Sequence, residues 1–156
     1  MLTSRKILIV EDRGDLLDLL VEALALLGWE TLRAESGLEA MNQLEHNMPS
    51  VVFLALGRPP MNGIELAASL KAHPAYKHIP ILAAGGNSGE LIRNVCLAAG
   101  CDDFISKPLA FAELAWRLNN LMAMERRRII RASEPVNLES TTWKRDVSRA
   151  GHRHVA

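Results

Sequence analysis

The chain has 156 residues, 49% of them apolar, with 18 basic and 18 acidic side chains and no net charge when histidine is neutral. That length suffices for one domain with its own core plus a short appendage, and its apolar runs are far shorter than the roughly 18 residues a membrane span needs. Two cysteines without further Cys or His at zinc-like spacing argue against a disulfide framework or a zinc site.

The N-terminus, MLTSRKILIVED, has a short apolar run that ends in acids, unlike a secretory leader, so a cytoplasmic chain is expected. KILIV, Lys6 to Val10, is apolar and β-branched and predicts a strand covered on both faces. GDLLDLLVEALALLGW repeats leucine and alanine at spacings of three and four and stops at Gly28, which predicts a helix. The alternation continues with strand ETLRA, helix SGLEAMNQLEH, strand SVVFLA, helix GIELAASLKAH, strand IPILAA, helix GELIRNVCLAAG, strand DFIS and a long last helix, AFAELAWRLNNLMAMERRR.

Strands alternating with helices specify a parallel sheet with right-handed crossovers and helices on both faces. The most apolar strands, around Leu8, Val52 and Leu82, belong in its middle, and ETLRA and DFIS toward its edges. The flavodoxin-like order 2-1-3-4-5 of a doubly wound (βα)5 sheet satisfies this. Such α/β sheets bind ligands at the carboxyl ends of strands where the winding reverses, here between the first and third strands. The predicted site therefore lies where Val10 and Leu54 end, with Glu11 and Asp12 on one side and Ala55 on the other.

These residues resemble the receiver domain of two-component response regulators over residues 5–124. The resemblance is carried by ILIVED, by FLALGRPPMNG set against a strand, aspartate, loop and Met-Asp-Gly pattern, by HIPIL, and by AGCDDFISKP with its Lys-Pro. In that family the acidic pair and a third aspartate hold magnesium, and the third aspartate accepts a phosphoryl group. The resemblance implies that Glu11 and Asp12 are the acidic pair and that Lys107 is the phosphoryl-contacting lysine. It sets Gly85 at the hydroxyl residue's position, Phe104 at the switch aromatic's and Ala55 at the phosphoacceptor's.

A methyl group has no lone pair with which to attack phosphorus, so Ala55 forms no acyl phosphate. Its metal site loses a hard oxygen and a negative charge, and magnesium at Glu11 and Asp12 is expected to be weak or absent. Gly85 has no hydroxyl to follow a phosphoryl oxygen. Arg58 and Asn62 also depart from the family's loop, which argues for a naturally degenerate pseudo-receiver over a single designed replacement.

Adjacent carboxylates raise each other's proton affinity unless a cation is near. The leading expectation is a Lys107–Asp12 ion pair, with residual divalent binding or another ligand as alternatives. The resemblance also implies a cis Lys107-Pro108 bond. Asp15 and Asp18 are expected to be solvated, and Phe104, which lacks a hydroxyl, to be a fixed inward ring. In winged-helix response regulators the face of the fourth helix, fifth strand and fifth helix is the dimer surface. Here Arg93, Asp102, Asp103, Glu113 and Arg117 give it both signs, as a C2 homodimer or a protein partner would need. Ordinary surface charge, worth about 0–1 kcal/mol per exposed pair, is the competing reading.

Up to Met124 the chain has 10 basic and 14 acidic residues, and beyond it 8 and 4. Residues 125–135 read as a basic linker ending in Ala-Ser-Glu-Pro. Residues 136–156, a short β-rich extension containing VSRAGHRHV, resemble the start of an OmpR-type winged-helix domain, with Leu138 and Trp143 as its anchors. No recognition helix is encoded, so specific DNA binding by this chain alone is not expected. Sequence-independent attraction to phosphates is all that eight basic residues supply.

The expected function is that of an atypical, phosphorylation-independent response regulator in signalling or transcription control. It is expected to act by protein contact or dimerisation, without a cofactor, and not as an enzyme. Two alternatives stand beside it: a phosphoacceptor using another carboxylate such as Asp12, and a small-molecule sensor using the space beside Ala55, Gly85 and Gly86.

Overall fold

The computed structural model describes residues 5–57, 62–86 and 89–133. Five strands, β1 (Lys6–Val10), β2 (Glu30–Ala34), β3 (Val51–Ala55), β4 (Ile81–Gly85) and β5 (Asp103–Ser106), alternate with α1 (Gly14–Leu26), α2 (Gly37–His46), α3 (Gly63–Ala72), α4 (Gly89–Ala98) and α5 (Phe111–Ser133). All strand pairs are parallel, in the order β2-β1-β3-β4-β5. The three apolar runs expected in the middle, β1, β3 and β4, lie there and are almost wholly buried, with Val10 of β1 paired with Leu54 of β3.

Period-two alternation divides the core. Leu8, Val10, Val52, Leu54, Ile81 and Ala83 face α2, α3 and α4, where Ala40, Leu44, Leu66, Leu70 and Cys96 meet them. Ile7, Ile9, Val51, Phe53 and Leu82 face the other way, onto Leu17, Leu20 and Leu24 of α1 and Leu114, Leu118 and Leu121 of α5. Each fully buried Leu, Ile or Phe contributes about 1.5–3 kcal/mol relative to exposure.

The helices start where short side chains cap them. Ser36 accepts from the Glu39 N–H at 3.1 Å, and Asn62 from the Glu65 N–H at 3.1 Å. At the start of α3, a Cβ on Gly63 would fall 2.8 Å from the Ala55 carbonyl oxygen and 3.0 Å from Leu56 Cα. Only glycine lets α3 close that tightly on the end of β3.

The chain divides into two compact units, Met1–Glu125 and Arg126–Ala156. The last helix, expected to run to Arg128, continues to Ser133 through part of the stretch read as a basic linker. Arginine and isoleucine continue a helix, and no glycine or proline interrupts it before Pro135. The expected extension over 136–156, with Leu138 and Trp143, lies outside the described residues, as does Arg58.

Candidate functional site

The site sits at the carboxyl ends of β1, β3 and β4. Hydrogen bonds that continue the ladders past the strands fix its backbone. Glu11 N donates to Ala34 O at 3.0 Å, Leu56 N to Ala84 O at 2.9 Å, and Lys107 N to Gly85 O at 2.7 Å. Glu11, Leu56 and Lys107 are thus placed by backbone bonds.

Glu11 is wholly buried, and its Oε1 accepts from Lys107 Nζ at 2.8 Å. Its Oε2 is buried with no hydrogen-bond partner among the described residues. Asp12, one residue on, is exposed and borders a cleft of about 680 Å³ shared with Glu35, Ser36, Asn62 and Glu65. This corrects the expected pairing, because the partner of Lys107 is Glu11 and not Asp12. A carboxylate sealed from water needs a counter-charge far more than an exposed one does.

Ala55 is wholly buried beside them and offers a methyl where the receiver pattern has a carboxylate. Magnesium takes hard oxygens in near-octahedral geometry. Glu11 has one unpartnered oxygen, Asp12 is solvated, Ala55 contributes none, and an ammonium already stands on Glu11. Among the described residues no three His, Cys, Asp or Glu side chains are grouped to hold a metal ion. The residues present do not fit a receiver-type magnesium site.

At the end of β4, Gly85 lies against Leu56 and Phe104. Phe104 is 5% exposed and points into the core, as expected of a ring without a hydroxyl. Leu56, which sequence reasoning missed, shares that space. Its only signal is an apolar residue directly after a buried strand. Lys107-Pro108 is cis.

The five charged residues of the predicted contact face do not act alike. Asp102 Oδ2 accepts from Lys71 Nζ at 2.9 Å and from Ile81 N at 2.8 Å, which ties β5 to α3 and β4. Arg117 Nη1 donates to both oxygens of Asp103, at 2.9 and 3.0 Å, and its Nε donates to Glu113 at 3.0 Å. Burial opposes the charge on Arg117, but the hydrogen bonds to Asp103 and Glu113 outweigh it and raise the pKa. Arg93 is exposed on α4, as are Leu91 at 73% and Val95 at 38%, one turn apart. Asp15 and Asp18 are exposed as expected, beside Arg13 and Arg33.

A parallel five-stranded sheet, with an acidic residue and a Lys-Pro meeting at its switch point, defines the class as a doubly wound α/β domain. The family model for the response regulator receiver domain matches residues 7–119, and the chain belongs to that family. It is 32% identical over 120 residues to the transcriptional regulatory protein PrrA of Mycobacterium tuberculosis, covering 77% of this chain and 51% of that one. It is 28% identical over 107 residues to the polar-differentiation response regulator DivK of Brucella ovis, covering 69% and 87%. The solved receiver domain of a signal transduction histidine kinase from Syntrophus aciditrophicus superposes with a TM-score of 0.72 at 29% identity, covering 85% and 97%. The chain spans about half the length of PrrA.

Membership makes the chain a response regulator receiver of two-component signalling, a family of signalling proteins and not of enzymes. No helix among the described residues is long and apolar enough to cross a membrane.

Proposed function

We propose that this receiver signals without phosphorylation, through protein contact. One observation carries the reading: the end of β3 presents the buried methyl of Ala55, and Lys107 is turned onto Glu11. No nucleophile stands where an acyl phosphate would form, and the lysine that would meet a phosphoryl group is engaged.

The contact surface is the α4–β5–α5 face, used by a second copy or by another protein. Leu91 and Val95 supply its apolar centre, with Arg93 beside them. Asp103, Glu113 and Arg117 are paired within one chain, so they shape that surface more than they bridge to a partner. Joined to a DNA-binding domain, such a receiver would control transcription by presenting this surface constantly. Similarity to PrrA, a transcriptional regulatory protein, supports a regulatory context.

Sedimentation of the full chain with and without beryllofluoride and magnesium tests this. The association state is expected to be the same in both, and a beryllofluoride-dependent change would refute the reading.

A further inference from the structure

At the end of β4 a missing side chain is replaced in volume by two others. A Cβ on Gly85 would lie 3.0 Å from Leu56 Cδ1 and 3.1 Å from both Cε2 and Cζ of Phe104. These separations are tighter than ordinary van der Waals contact, so nothing larger than glycine fits without displacing a neighbour.

Neither neighbour has a backbone free to retreat. Leu56 is bonded to Ala84, Gly85 pairs with Ser106, and Lys107 is bonded back to Gly85. The Phe104 N–H donates to Asp103 Oδ1 at 2.8 Å, and the same carboxylate is gripped by Arg117 of α5. The strand that carries the ring is therefore tied to the helix beside it.

We infer that Leu56, Gly85 and Phe104 form a closed latch that holds the β5 aromatic inward in a single state. The glycine is the seat of the latch, and the leucine and the ring close over it. Were the ring to leave, it would open an apolar void beside Leu56 that no side chain at position 85 could fill. The latch takes its meaning from the phosphorylation-independent reading, since it keeps the α4–β5–α5 surface constant, but its geometry does not depend on it.

The chain has three phenylalanines, which makes the latch measurable. Fluorophenylalanine incorporated in the full chain gives three fluorine signals, and Phe104→Leu identifies the one of interest. Phe53 is wholly buried and Phe111 is 43% exposed, so they serve as protected and accessible references for broadening by a soluble gadolinium chelate. Phe104 is expected to be protected like Phe53, with or without beryllofluoride and magnesium. In Gly85→Thr it loses that protection and approaches Phe111, while a protected Phe53 reports an intact fold. Adding Leu56→Ala to Gly85→Thr makes room and restores the protection. A native Phe104 as accessible as Phe111, or one that Gly85→Thr leaves unchanged, overturns the latch. Phosphoryl uptake with Phe104 still protected would overturn the functional reading and leave the latch standing.

Discussion

Lys107 Nζ lies 2.8 Å from Oε1 of Glu11, and Glu11 is wholly buried while Lys107 keeps a quarter of its side chain in water. Among the described residues the second oxygen of this carboxylate has no hydrogen-bond partner. Removing the ammonium by Lys107→Met is expected to destabilise the fold by about 3–5 kcal/mol, the cost of a buried charge left alone. Glu11→Gln added to it should recover most of that loss. Asp12→Asn, at an exposed site, should stay within about 0.5 kcal/mol. Urea unfolding of the native chain and these three variants checks all three expectations.

Arg117 holds α5 to the first residue of β5 through Nη1, which donates to both Asp103 oxygens, while its planar guanidinium turns Nε onto Glu113 one turn back on the same helix. Arg117→Ala is expected to cost about 1.5–3 kcal/mol in urea unfolding, the worth of hydrogen bonds to charged groups in a half-buried setting. Arg117→Lys should recover only part of this, since an ammonium keeps the charge and loses the planar fork.

Gly100 has a φ of +107°, and a Cβ there would fall 2.6 Å from Lys71 Cγ. Lys71 cannot swing away freely, because its Nζ donates to Ile79 O at 2.9 Å and to Asp102 at 2.9 Å. Gly100→Ala should therefore destabilise by about 1–3 kcal/mol. At Gly86 a Cβ would meet nothing within 4 Å, and Gly86→Ala should stay within about 0.5 kcal/mol. Thermal unfolding separates the two.

Cys96 and Cys101 are free and buried. Burial, then the neighbouring Cys96 and Asp102, push the Cys101 thiol from 9.0 up to about 12. The folded state keeps a proton that the unfolded state releases, so this contribution to stability is full below pH 9.0 and is lost as pH rises toward 12. Stability should fall over that range less steeply in Cys101→Ala than in the native chain. At neutral pH, iodoacetamide should modify the native thiols far more slowly than the denatured ones.

The sheet was legible because short strand-like runs alternate with helical ones between turn residues, and KILIV, ETLRA and DFIS coincide with β1, β2 and β5. The vacancy at Ala55 was legible for the same reason, since strand register sets what stands at the end of β3. Sequence gives Glu11 and Asp12 as equals, however, and only the fold decides which one is sealed from water and draws in Lys107. Leu56 could not be assigned because its neighbours Gly85 and Phe104 come from two other strands far along the chain. The last helix, expected to end at Arg128, continues to Ser133, and the mixed signs at Asp103, Glu113 and Arg117 did not reveal that these three residues pair within one chain.

The central claim is that nothing at the end of β3 accepts a phosphoryl group. Incubating the full chain with acetyl phosphate and magnesium, followed by intact mass measurement, tests it directly, with Ala55→Asp as the comparison that restores a carboxylate. The native chain is predicted to keep its mass. A gain equal to one phosphoryl group in the native chain would contradict the account.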